Sequence, residues 1–377
     1  MLACRGLAAA AAASPTLWSI QQCSAAYFCR SHATATSGGD GKGGSKRAPA
    51  NVRQAFSYCV EQVKKHDYET FLWIMQLPKH LRPSILALRA FNVETGLIQD
   101  HAKSEMLVLM RCQWWRDAVN NCFKGSPPDQ PVVTALAEVL RSVPLTRYRL
   151  QQMVSTREED LTNPAQPTSL AALERYAEGT VGQLLMLQLE AGGFSSAGRA
   201  DPSSSSSSSG SSSSSTDGGG AAGAPQQTEA AAVAAAAASA AEHAAAHLGK
   251  AVGIAGMLRG TYTAGMWRRV YLPEDLCLQH GVDPNDVLLG RDSEGLRDVT
   301  LAVAAAAKQH LEEARRLAAE AEPAARPLFA PAVATGLYLD ALEQAGFNLF
   351  DQRMLKGAPS PLAYQLRLKW ALLCNKY

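Results

Sequence analysis

From residue 53 onward, apolar positions recur at three- and four-residue intervals, the pattern that puts one stripe of a helix against a core. The spacing predicts a helix or bent pair over 53–75, then helices over 82–100, 104–123, 130–142, 145–159 and 168–192. It continues with 229–263, 294–321, 330–346 and 361–374. Pro83 suits a first helical turn, and Thr168-Ser169 and Ser293-Glu294 read as helix starts. Only Arg268–Leu272 reads as extended, and no solenoid period is present. The expectation is an all-α chain, one domain of antiparallel helices around a central cavity.

Two stretches fall outside this pattern. Residues 1–48 carry five Lys or Arg against the single acid Asp40, in an Ala/Ser/Thr background, the composition of an organelle transit peptide. Residues 194–228 hold the run Ser203–Ser209 and little that could enter a core, so they read as a solvated insertion in the 49–377 domain. The net charge of +2 argues against a general nucleic-acid binder. Eight cysteines without a CxxC pair or regular framework read as reduced thiols in an intracellular compartment.

The helical pattern also sorts candidate chemistry. Glu94 and Asp100 are six residues apart, about 120° around a helix, so they cannot share one cation and read as solvated acids. His243 and His247 have a metal-ligand spacing, but there is no HExxH order and no obvious third ligand, and they read as a pair on a partly exposed helix face. Gly249, Gly253 and Gly256 suit close helix packing. In Trp114-Trp115, one ring is expected in the core and one at its edge, while Arg116 and Asp117 are placed to pair with other helices. Arg157–Asp160 reads as a charged helix end, and Arg268 and Arg269 suit either phosphate or ion pairs. Leu362, Leu366, Trp370 and Leu373 share a face of the last helix, suited to packing on the domain or, alternatively, to a membrane surface. No nucleophile can be assigned.

Five segments occur in the order of a known family: helix 82–100, Leu109–Asp117, Tyr176–Gly182, His247–Ala251 and Arg269–Pro273. Over about residues 52–375 the chain resembles the squalene/phytoene synthase family. The resemblance implies an isoprenoid-synthase-like fold in which two Asp-rich helices hold magnesium and a prenyl diphosphate. It places the motif positions at Gly96, Asp100, Gly260 and Ala264, so one carboxylate of about four remains. No Asp or Glu occurs between Glu242 and Glu274. Cavity or phosphate contacts are expected from Arg259, Arg268, Arg269 and Tyr271, with no catalytic residue, no metal and no cofactor. The wording QWWRDA and RRVYLP is similar to a branch of the family whose members assist assembly of respiratory complex I (NADH:ubiquinone oxidoreductase). That similarity implies a pseudoenzyme acting early in assembly on the matrix side of the mitochondrial inner membrane. Its expected partners are complex I subunits or other assembly factors. The alternatives are a magnesium-dependent trans-prenyltransferase and a module that holds a lipid or prenyl group in the same cavity.

Overall fold

The structure, a computed structural model, describes residues 50–101, 104–163, 166–196, 224–261, 269–355 and 360–377. The expected leader and positions 197–223 of the expected insertion lie outside the described residues. The edges of that insertion are structured. Ser195 is buried and donates to Glu242 at 2.6 Å, and a helix is under way from Ala224.

The bend expected within 53–75 falls at Asp67, between α1 (Ala50–His66) and α2 (Tyr68–Ile74). Asp67 caps α2 by accepting from the Thr70 amide at 3.3 Å, satisfying one of the free donors of the first turn. α3 (Arg82–Gly96) starts with Pro83 in its first turn and is buried along most of its length, including Ile85, Leu88 and Phe91. A helix without a polar face belongs in the middle of a core. It stops at Gly96, short of the expected residue 100, and Asp100 falls in a separate helical turn, Ile98–His101.

α4 (Glu105–Phe123), α5 (Pro131–Leu140) and α6 (Arg147–Thr162) follow. α7 (Leu170–Ala177) runs through a π-helical turn, Glu178–Gly182, into α8 (Gln183–Gly192). α9 (Ala224–Gly260) packs most extensively on α12 (Glu294–Glu320), with α10 (Glu274–Gln279) and α11 (Pro284–Leu288) between them in sequence. These two short helices were not expected from periodicity, which needs more than a turn or two to register. α13 (Pro331–Gln344) and α14 (Pro361–Cys374) complete the bundle. Arg269–Leu272 belongs to no helix or strand, and no strand occurs among the described residues.

Glycine explains how α9 reaches the π turn. A Cβ on Gly249 would stand 2.4 Å from the Gly182 Cα, and one on Gly253 would stand 2.4 Å from the Ala177 Cβ. The third expected packing glycine, Gly256, differs: a Cβ there would meet nothing within 4 Å, because this turn of α9 faces open space. Among the described residues, no helix is long and apolar enough to cross a membrane.

Candidate functional site

α2, α3, the end of α9, α13 and α14 enclose a cavity of ≈ 80 Å³ whose lining includes Asp67, Glu69, Arg89, Gly256, Arg259 and Tyr364. That is room for a few waters. It is far below the roughly 300–1,000 Å³ of pockets that enclose drug-sized ligands. Among the described residues, the central cavity expected from the sequence is represented by this small pocket, into which Arg89 and Arg259 project.

Arg259, in the last turn of α9, donates to Glu69 Oε2 at 3.0 Å and to the Ala334 carbonyl at 3.4 Å. Its guanidinium also lies 4.6 Å from the centre of the Tyr338 ring, and Tyr364 donates to the Glu69 carbonyl at 3.1 Å. Deeper in, Arg89 approaches Asp67 to 3.8 Å, both side chains buried, and lies over Trp73. Burial pushes the Asp67 carboxyl above its usual range, although Arg89 and the Thr70 hydrogen bond pull it down. The Nε and Nη2 of Arg89 are buried with no hydrogen-bond partner in the protein. Two cations and two carboxylates make this pocket formally neutral.

A second polar cluster joins α3, α6 and the segment after α9. Arg157 is buried and donates to Thr95 Oγ1 and, at 2.6 Å, to Asn92 Oδ1; Tyr176 also bonds it. Arg269 is buried and donates to Asp160 Oδ1 at 2.6 Å and to the Asn163 carbonyl at 3.2 Å. Tyr271 donates to Asp160 Oδ2 at 3.5 Å. Burial raises the Asp160 carboxyl to about 6, with Arg269, Tyr271 and Arg157 opposing that rise. The segment read as a charged helix end is thus an interior clamp: Arg157 and Asp160 meet residues remote in sequence, which local spacing cannot reveal.

The positions singled out from sequence are distributed as follows. Arg259 lines the pocket, whereas Arg269 and Tyr271 clamp to Asp160 and contribute nothing to it. Gly96 is exposed, with open space where its Cβ would be, and Gly260 closes α9. Ala264 and Arg268 lie outside the described residues. Glu94 is not a solvated acid: it accepts from Tyr58 at 2.6 Å, and its carboxylate together with burial raises the Tyr58 phenol. His247 does not pair with His243, which is exposed; its Nδ1 lies 2.9 Å from the Nδ1 of His310 on α12. Among the described residues, no group of three His, Cys, Asp or Glu side chains converges as metal ligands would. Carboxylates on one face are what a chelated magnesium diphosphate needs. The pocket's two carboxylates, Asp67 and Glu69, are instead each paired with a cation, Arg89 and Arg259, so the residues present do not fit that group.

The expectations for the two tryptophans and Arg116 hold, whereas Asp117 accepts from Gln113 on its own helix at 3.0 Å. Trp115 is buried against Phe91 with ring centres 5.4 Å apart, while Trp114 is 42% exposed. Arg116 pairs with Glu158 across α4 and α6. Cys59, Cys112, Cys122 and Cys277 are free and buried, and Cys374 is free and exposed. Burial raises the Cys59 thiol to about 12 and those of Cys112 and Cys122 to about 11, which leaves them protonated and unreactive at neutral pH.

The sequence profile of squalene/phytoene synthase matches residues 63–359, and the chain belongs to that family. It is similar to the bovine (Bos taurus) NADH dehydrogenase (ubiquinone) complex I, assembly factor 6: 34% identical over 293 residues, covering 78% of this chain and 75% of the relative. The Drosophila melanogaster homolog of that factor is 32% identical and covers 85% of this chain and 84% of its own. Phytoene synthase 1, chloroplastic, of Arabidopsis thaliana is 22% identical, covering 82% and 66%. Among solved structures, a dehydrosqualene synthase in complex with ligand superposes with a TM-score of 0.64 at 18% identity, covering 85% of this chain and 95% of that one. The squalene synthase HpnC from Alicyclobacillus acidocaldarius gives 0.60 at 17%, covering 80% and 97%. These two likenesses establish the isoprenoid-synthase-like all-α fold.

Proposed function

We propose that this chain is a non-catalytic assembly factor for mitochondrial respiratory complex I, acting early, at the matrix side of the inner membrane. The observation that carries the reading is the combination of its similarity to assembly factors with a pocket closed by its own ion pairs. Departure of a diphosphate places several negative charges in a site from which water is excluded, and metal ions stabilise them by several kcal/mol. Arg259 and Arg89 cannot substitute, because each already faces a carboxylate, at 3.0 and 3.8 Å. The basic, acid-poor composition of residues 1–48 supports a mitochondrial leader. We infer the organisation set out from sequence: a leader over 1–48, one domain over 49–377, and an insertion over 194–228.

The test is loss of the gene, followed by native-gel analysis of complex I and re-expression of the intact chain. Loss of assembled complex I, restored by re-expression, is the expected result. Normal complex I would sink the reading. The synthase fold favours one rival, a magnesium-dependent trans-prenyltransferase. Purified protein incubated with magnesium and farnesyl or geranylgeranyl diphosphate is expected to give no C30 or C40 product. A lipid- or prenyl-holding module is disfavoured by a pocket of ≈ 80 Å³. Native mass spectrometry finding a stoichiometric prenyl lipid would revive it.

A further inference from the structure

α14 is attached to the bundle by the side opposite to the one its composition suggests. The buried residues are Tyr364, Leu368 and Ala371. Leu362, Leu366, Trp370 and Leu373, the face suited to packing on the domain, are instead 68%, 63%, 64% and 83% exposed. At about 100° per residue these four fall within an arc of about 80°, centred roughly 170° from the buried stripe. Lys369 lies just outside one edge of the arc and Arg367 outside the other, both exposed. Residues 361–377 contain Arg367, Lys369 and Lys376 and no Asp or Glu.

We propose that this outward face of α14 lies on an anionic lipid surface. The apolar arc would enter the boundary between headgroups and acyl chains, with Trp370 at the level where an indole is favoured. Arg367 and Lys369, on either side, have stems long enough to lie along the apolar layer while their charges reach lipid phosphates. A protein groove would not require a cation on each side of the apolar arc in a segment, 361–377, that carries no acid. The other exposed apolar row, Met106, Met110 and Trp114 on α4, is interspersed with Glu105 and Asp117 and lacks that frame. The proposal deepens the inner-membrane part of the function above and names the surface that makes contact, without requiring the assembly role.

Flotation of the purified full chain with vesicles tests it. On phosphatidylcholine vesicles containing about a third anionic phospholipid the protein is expected to float, and removing each cation by Arg367→Gln, Lys369→Gln or Lys376→Gln should weaken binding about fivefold. Replacing Leu362, Leu366, Trp370 and Leu373 together by Ser should weaken it on the order of tenfold or more. All four are exposed, so an unchanged helical circular dichroism spectrum and melting curve accompany that loss. Cys374, near the rim of the arc and exposed, gives a second reading: its maleimide labelling, located by peptide mass spectrometry, should slow when vesicles are bound. Binding that is equal on neutral vesicles, or unaffected by the quadruple substitution, overturns the proposal. So does a chain that ignores vesicles while the same substitutions abolish complex I assembly, since the face then docks a protein. A chain that floats as described but does not restore complex I leaves the lipid surface standing and removes the assembly reading.

Discussion

Arg259 meets Glu69 at 3.0 Å, joining the end of α9 to α2 across the pocket that both residues line. The pair is 29% and 21% exposed, so solvent screens part of its attraction. Replacing Glu69 by Gln and Arg259 by Met, singly and together, should give a coupling energy of about 1–2 kcal/mol, between surface and buried pairs. Urea unfolding of the four proteins measures it. A coupling near zero would mean that the pocket is held shut by packing alone.

Gly249 and Gly256 lie seven residues apart on α9 yet should respond oppositely to alanine. The Gly249 methyl would collide with backbone at Gly182, which cannot rotate away as a side chain could. Gly249→Ala is expected to destabilise by about 1–3 kcal/mol. Gly256→Ala enters open space and should stabilise by up to about 1 kcal/mol through helix propensity. Thermal unfolding of the two variants checks both signs.

The helices and the family resemblance were legible because both are carried by local order: an apolar spacing, a cap, a short motif. The division of labour between Trp114 and Trp115 was legible for the same reason. The partners of buried charges were not. Asp160 meets Arg269 from 109 positions away and His247 meets His310 from 63, distances set by how α6, α9 and α12 pack. The face by which α14 attaches was misread because periodicity identifies an apolar stripe without saying what covers it. Tyr364 takes an interior place beside Leu368 and Ala371, its ring buried and its hydroxyl donating to the Glu69 carbonyl.

Asp160 should leave a signature in acid. Burial raises its carboxyl in the folded chain to about 6 from the ordinary 3.8. Between those values the folded state holds more proton than the unfolded state, so this group's contribution to stability falls as pH rises from about 4 to 6. Asp160→Asn removes that slope. At neutral pH it also leaves Arg269 with a weaker acceptor, a loss of about 1–3 kcal/mol. Chemical denaturation of both proteins at several pH values separates the two effects.

His247 acts in the same acid range with the opposite sign. Burial, then the nearby His310, holds its imidazole below the ordinary 6.5. The folded state therefore binds fewer protons than the unfolded state just below pH 6.5, and stability from this group is lost as pH falls. Geometry gives the reason: the two Nδ1 atoms share one hydrogen bond at 2.9 Å, and at least one must be unprotonated to accept it. Glu313 favours protonation of His247, while Lys250 and His243 oppose it. His247→Asn should flatten the fall in stability on acidification, where Asp160→Asn should steepen it. Melting temperatures of the two single variants and the double variant between pH 4.5 and 7 test this. Additivity is expected, since the residues share no partner among the contacts described. Parallel shifts in both variants would show that global charge, and not these two sites, sets the acid response.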